Sequence, residues 1–274
     1  MSFKDVLVHV DGGGRSTARL DVATQVAQVF GARLTGLFGQ SDPHVLILAT
    51  RDPETALAPI AARSETAFRE RVSVAGVAGE WLVEATVNDT ELVKRLLTAA
   101  RHADLAILGQ YEPEAPQAGV PADLIEHVVL GSGRPVLVVP FAGSFASVGR
   151  RVMVAWNGGR EAARAVGDAI PFLERAEKVI LISVNPDIGR REAEAPVFGP
   201  LLRHLSAHGI DAEPEILWVK DIGAMDILLS RLTDDSIDLL VMGAHGGYGI
   251  PHLHRSAATR HILRHMTVPV LMSH

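Results

Sequence analysis

The 274-residue sequence contains no cysteine. That excludes a disulfide framework, thiolate zinc sites, iron–sulfur ligation and a cysteine nucleophile. It fits a reducing compartment. Long hydrophobic runs are missing as well. The longest apolar stretches are broken by Gly, Arg, Asp or Pro, short of the ~18 residues a membrane span needs. Met1-Ser2-Phe3-Lys4-Asp5 leads at once into a strand-like run, which leaves no room for a signal peptide. The expectation is a soluble, cytoplasmic protein with no membrane partner. An excess of positive charge is also absent: 26 Lys+Arg stand against 32 Asp+Glu, a formal net charge of −6. This argues against nucleic acid as a partner. There is no Walker A pattern and no G-x-S-x-G nucleophile elbow, and Gly12-Gly13-Gly14 does not complete a dinucleotide fingerprint. What remains is an ordinary globular mixture, 47% hydrophobic and 21% charged, of a length that favours two domains.

A repeat organises the chain. Asp5-Val6-Leu7-Val8-His9-Val10-Asp11-Gly12-Gly13 returns as Arg151-Val152-Met153-Val154-Ala155-Trp156-Asn157-Gly158-Gly159, shifted by 146 residues. Both are apolar strands running into an Asx-Gly-Gly turn. Asp104-Leu105-Ala106-Ile107-Leu108-Gly109 returns as Asp238-Leu239-Leu240-Val241-Met242-Gly243, and Pro135-Val136-Leu137-Val138 as Pro269-Val270-Leu271-Met272, both shifted by 134. The first half therefore holds 12 extra residues, expected between Ser41 and Gly79. The halves, 1–141 and 150–274, meet at the Gly/Ser/Ala-rich linker Ala142–Gly149.

Each half alternates strand and helix patterns. In the first, strands are expected at Val6–Val10, Leu34–Phe38, Trp81–Thr86, Leu105–Leu108 and Val136–Val139, with helices at Ser16–Phe30, Pro53–Val77 and from Asn88 or Asp89 to Ala100. In the second, strands are expected at Val152–Trp156, Val179–Val184, Glu213–Val219, Leu239–Met242 and Val268–Met272. Its helices are expected at Glu161–Leu173, Val197–His208, Ala224–Leu232 and Ser256–Arg264. The pattern predicts α/β architecture: two domains of about 135–145 residues, each a five-stranded parallel sheet flanked by helices. With strand order 3-2-1-4-5, ligands meet the loops after strands one and four.

The fourth-strand loops of the halves differ in charge. Gly243-Ala244-His245-Gly246-Gly247-Tyr248-Gly249 opens a glycine-rich segment that runs towards a helix start at Ser256. Glycines admit phosphate oxygens to backbone N–H groups, and a helix N-terminus adds donors and a favourable dipole. From Leu239 to His274 there is no Asp or Glu, but there are three Arg and six His. This window reads as an anion site. Leu105–Pro140 instead holds Glu112, Glu114, Asp123 and Glu126 against Arg134, and Glu112 replaces Gly246 at the repeat shift. The first half is therefore expected to bind no nucleotide in this manner. His261/His265 and His204/His208 have the i,i+4 spacing that can hold one metal ion, but solvent or anion work suits them better, and no metal or catalytic residue is assigned. His127 matches His261 across the repeat, suggesting a shared packing role. Trp156 reads as packing.

Gly243-x-x-Gly246, nine residues and Ser256-Ala257 resemble the ATP-binding pattern of the universal stress protein family, G-x-x-G, nine residues, G-[S/T]. Ser256-Ala257 stand where that family has Gly-Ser/Thr. Ala258-Thr259-Arg260-His261-Ile262-Leu263, Thr267-Val268-Pro269-Val270-Leu271-Met272 and Trp156-Asn157-Gly158-Gly159-Arg160-Glu161-Ala162-Ala163-Arg164 add to the likeness, which covers essentially the whole chain as a tandem bacterial type. It implies two Rossmann-like domains of the adenine nucleotide alpha hydrolase-like kind. It implies a stress-response or signalling protein that binds ATP or AMP, with or without magnesium, without efficient catalysis. Asn157 would meet the ribose, Val184 the adenine edge and Met242 the base. Gly243, His245 and Gly246 of the loop, with Ser256, Ala257 and Ala258, would meet phosphate. The first half becomes a degenerate lobe. Fifth strands pair in this family, which implies an internal pseudo-dimer and leaves a homodimer open. Two alternatives stay open: a slow ATPase or nucleotide-transferring enzyme drawing on Asp221 or Asp226, and an interaction module that has lost nucleotide binding.

Overall fold

The computed structural model describes residues 2–41, 52–86, 88–113, 119–184, 198–219, 223–246 and 257–274. The chain forms two compact units, Ser2–Phe145 and Ala146–His274. In the first unit the elements run β1 (Asp5–Val10), α1 (Ser16–Phe30), β2 (Arg33–Ser41), α2 (Pro53–Ala75), β3 (Gly79–Thr86), α3 (Asp89–Arg101), β4 (Leu105–Gly109), α4 (Leu124–Ser132) and β5 (Val136–Val139). In the second they run β6 (Arg151–Ala155), α5 (Arg160–Leu173), β7 (Lys178–Val184), α6 (Gly199–Ala207), β8 (Glu213–Leu217), α7 (Ala224–Asp234), β9 (Leu239–Gly243), α8 (Ala257–His265) and β10 (Val270–Ser273).

Every described strand pair within a unit is parallel. The order is β3-β2-β1-β4-β5 in the first unit and β8-β7-β6-β9-β10 in the second. The direction of winding therefore reverses between β1 and β4, and again between β6 and β9, which opens a crevice at the carboxyl ends of those strands. The central strands are covered on both faces, so they read as continuous apolar runs: Val6, Leu7, Val8 and Val10 in β1, and Val152, Met153 and Val154 in β6, are all buried.

Local chemistry explains the element ends. Asp52 caps α2 by accepting from the N–H groups of Glu54 and Thr55, and Pro53 follows where no donor is needed. Asn88 caps α3 by accepting from the Glu91 N–H at 2.9 Å. α2 has 23 residues and its counterpart α6 has 9, so the first half's extra length is spent on helix. α4 stands in a stretch to which the sequence patterns assign no element. Asp123 precedes it without making a side-chain cap.

The aspartates that open the second repeat motif have a shared structural task. Asp104 Oδ2 accepts from the backbone N–H groups of Lys4 (2.8 Å) and Asp5 (3.1 Å). Asp238 accepts from Gly149 (3.0 Å), Arg150 (3.1 Å) and Arg151 (2.9 Å), and from the Ser147 hydroxyl (2.6 Å). Each aspartate satisfies the amides that lead into its unit's first strand. Among the described residues no helix is long and apolar enough to cross a membrane.

Candidate functional site

In the second unit the crevice between β6 and β9 holds about 680 Å³ of space, open solvent included. Six of the residues expected at a site line it: Asn157, Val184, Met242, Gly243, Gly246 and Ala258. They arrive from the ends of β6, β7 and β9 and the start of α8. Ala257 opens α8 but stands outside the lining. Ser256 lies outside the described residues.

His245 also stands outside the lining. Its backbone is left-handed, with φ 56°, an uncommon conformation for a residue with a Cβ. Its N–H donates to the buried hydroxyl of Thr259 at 2.9 Å, and its ring stands 6.5 Å from that of His274. The histidine thus shapes the turn after β9 and tethers it to α8.

The structure adds residues that sequence reasoning did not assign. Ile182, Met225 and Leu228 make apolar wall, and Thr259 joins Ala258 from α8. Trp156, read as packing, stands on the wall of the cleft, its N–H donating to the Ile182 carbonyl at 2.8 Å. Glu161 also lines the cleft. The close approach of α5 to the end of β9 brings it there: a β-carbon on Gly243 would lie 2.5 Å from the Ala162 nitrogen and the Glu161 carbonyl carbon. Only glycine permits that packing. The repeat already marks Gly243, and the register of β6 against β9, Ala155 beside Met242, is the signal that could have found its neighbour.

Asn157 Oδ1 accepts from the Gly159 N–H at 2.9 Å, closing an Asx turn. Asp226 is no cleft carboxylate: its Oδ1 stands 2.8 Å from His261 Nε2. Asp221, His252, His254 and Arg255 lie outside the described residues. His261 and His265 have ring centroids 4.4 Å apart and His204 and His208 4.9 Å. No group of three or more His, Asp or Glu is placed to hold a metal among the described residues. His127 pairs with Asp123 of its own helix cap at 3.2 Å, with its side chain 53% exposed, so it does not share the packing role expected for it and His261.

The equivalent crevice of the first unit is built differently. His9, Asp11 and Arg19 converge there, all buried. Arg19 donates from Nη2 to Asp11 Oδ2 at 2.8 Å and from Nη1 to the His9 carbonyl at 2.8 Å. Asp11 Oδ1 accepts from the Gly13 N–H (2.7 Å) and the Ser16 hydroxyl (2.9 Å). A β-carbon on Gly109 would lie 2.7 Å from the Arg19 guanidinium carbon, so this glycine makes room for a side chain where Gly243 makes room for a helix. His9 Nε2 stands 2.7 Å from the Gly39 carbonyl and Nδ1 stands 3.2 Å from Arg19 Nη1. The neutral Nε2–H tautomer satisfies both contacts. Burial, and then the Arg19 charge, lower the His9 pKa to about 4. Burial pushes the Asp11 carboxyl up, but the Arg19 guanidinium and the hydrogen bonds outweigh it and hold Asp11 below the usual carboxylate range.

Residues 149–274 match the family model described as the universal stress protein family. The match spans the second unit, which is thereby similar to the universal stress protein family. The structure of a universal stress protein from Archaeoglobus fulgidus is similar over 98% of this chain and 97% of its own, with a TM-score of 0.72 at 17% identity. A functionally unknown protein from Pseudomonas aeruginosa is similar over 99% of this chain and 92% of its own, with a TM-score of 0.59 at 15% identity. A shorter universal stress protein from Archaeoglobus fulgidus, solved in complex with dAMP, covers 50% of this chain with 98% of its own, at 18% identity and a TM-score of 0.33. At these identities the likeness concerns the fold alone. No curated protein matches the chain.

Proposed function

We propose that the second unit binds an adenine nucleotide in the cleft between β6 and β9, as the non-catalytic sensing half of a stress-response protein. The observation that carries this reading is the convergence, on one cleft of a universal stress protein unit, of Asn157, Val184, Met242, Gly243, Gly246 and Ala258. Their chemistry suits such a ligand. Val184, Ile182, Met242 and Leu228 offer an apolar slot for a flat base. The Asn157 amide would meet the sugar, and Gly243 and Gly246 bring backbone without side chains to the cleft wall opposite Ala258 and Thr259 of α8. The first unit serves as a structural lobe without a nucleotide, because a buried Arg19–Asp11 ion pair lines the equivalent crevice. An enzymatic role has less support, since Asp226 is engaged by His261.

Mass spectrometry of small molecules released from the purified protein, with calorimetry on adenosine, AMP, cyclic AMP and ATP, tests the proposal. An adenine compound bound at one per chain is the expected result. Gly246→Glu copies Glu112 of the first unit and sets a second carboxylate beside Glu161, so binding should be lost. A protein that releases no nucleotide and shows no heat up to millimolar ligand would sink the reading, and unchanged affinity in Gly246→Glu would put the site elsewhere.

A further inference from the structure

Among the described residues that line the second-unit cleft, Glu161 is the one ionisable side chain. It comes from the first turn of α5, whereas the glycine loop follows β9. Its side chain is 16% exposed. A β-carbon on Gly246 would lie 2.7 Å from Glu161 Oε2, so that oxygen faces Gly246 directly. The other oxygen faces outward: Arg160 Nη2 stands 3.1 Å from Oε1, on a side chain that is 78% exposed. The cation therefore sits at the solvent side and leaves Oε2 turned towards the loop. An ionised carboxylate accepts hydrogen bonds and donates none. It repels a phosphate, and the repulsion grows with each ionised phosphate brought near it in a partly desolvated site. The apolar slot for the base, formed by Ile182, Val184 and Met242, is untouched by this charge.

We propose that Glu161 sets the charge of the ligand: the cleft takes an adenine compound with one phosphate or none and rejects the free triphosphate. This rests on the adenine reading of the cleft and narrows it. Glu161 is then a specificity-determining residue, placed by the Gly243 contact that brings α5 against β9.

Calorimetry on the full chain in the presence of EDTA, with adenosine, AMP and ATP, measures the ranking. Adenosine and AMP should bind about tenfold or more tightly than ATP. Glu161→Gln keeps the shape and one acceptor but removes the charge. It should raise ATP affinity by about tenfold while leaving adenosine within about threefold. An unaltered protein that binds ATP as tightly as AMP overturns the inference, and that measurement decides even if the variant fails to fold. So does a folded Gln variant whose ATP-to-adenosine ratio has not moved. If neither protein takes up any of the three, the adenine reading itself fails and the inference goes with it.

Discussion

The two units place different residues at the same three positions of one fold. His9, Asp11 and Arg19 of the first unit correspond, at the 146-residue shift, to Ala155, Asn157 and Ala165 of the second. His9 and Asp11 are buried, while Ala155 is half-buried and Asn157 exposed. The first unit lines its crevice with an internal ion pair. The second carries no charge at those positions, and its cleft is lined there by Ala155 and Asn157. The Asx turn survives the change: Gly13 donates to Asp11 Oδ1, and Gly159 to Asn157 Oδ1. What differs is the second carboxylate oxygen, which in Asp11 is held by Arg19. A buried pair is costly to break from one side, because the survivor stays desolvated and uncompensated. That cost holds Arg19 and Asp11 together in the wall of the crevice.

Breaking the pair should have the largest effect. Asp11→Ala strands the Arg19 guanidinium, and Arg19→Ala strands the Asp11 carboxylate, so each should lower stability by about 3–5 kcal/mol in urea unfolding. The double change Asp11→Asn with Arg19→Ala copies the second unit and should cost clearly less than the two single changes added together. Additive costs would show that the two residues do not act as a pair.

Acid should sharpen the same comparison. Unfolded, His9 takes up a proton below about pH 6.5; folded, it does so only below about pH 4. Between those values the unfolded chain holds more protons, so stability rises with pH and is lost as pH falls from 6.5 towards 4. The loss should amount to about 3 kcal/mol, read as a falling urea midpoint of the first unit's transition. His9→Ala, which copies Ala155, should flatten the slope over that window. An unaltered slope would mean that another group titrates there.

The smallest effect belongs to the second unit's loop. Thr259 stands where the first unit has Ile125. Thr259→Val removes the acceptor for the His245 N–H and should cost about 1 kcal/mol. Amide exchange at His245 should speed up with it; protection equal to the parent's would show that the hydroxyl does not hold the turn.

The fold was legible because buried parallel strands announce themselves. Val136–Val139 and Ser16–Phe30 are found where apolar runs and helical spacing put them. α4 was not read: it is only 9 residues long, holds Gly131 near its end, and Asp123 forms no side-chain cap. Yet the helix expected at Ser256–Arg264, carried back by 134 residues, falls on it. The lining of the candidate cleft was legible close to strand ends, as with Asn157, Val184, Met242 and Gly243. Glu161 was not. The window from Leu239 to His274 is free of acid along the chain, but α5 supplies a carboxylate to it from 82 residues before Gly243. Charge counted along a segment misses charge delivered across a crevice by another element. Trp156 escaped for a related reason: it follows a buried strand, but the wall it joins is an open one.

The Asp238 clasp bears on where the gene can be cut. Ser147 and Gly149 precede β6, and both are bound to Asp238, near the start of β9. A fragment begun at Arg150 would keep the family's strands and helices but give up two of the four donors that this carboxylate gathers. Expression of the second half by itself should therefore begin at Ala146 or earlier, with those residues kept as part of the module.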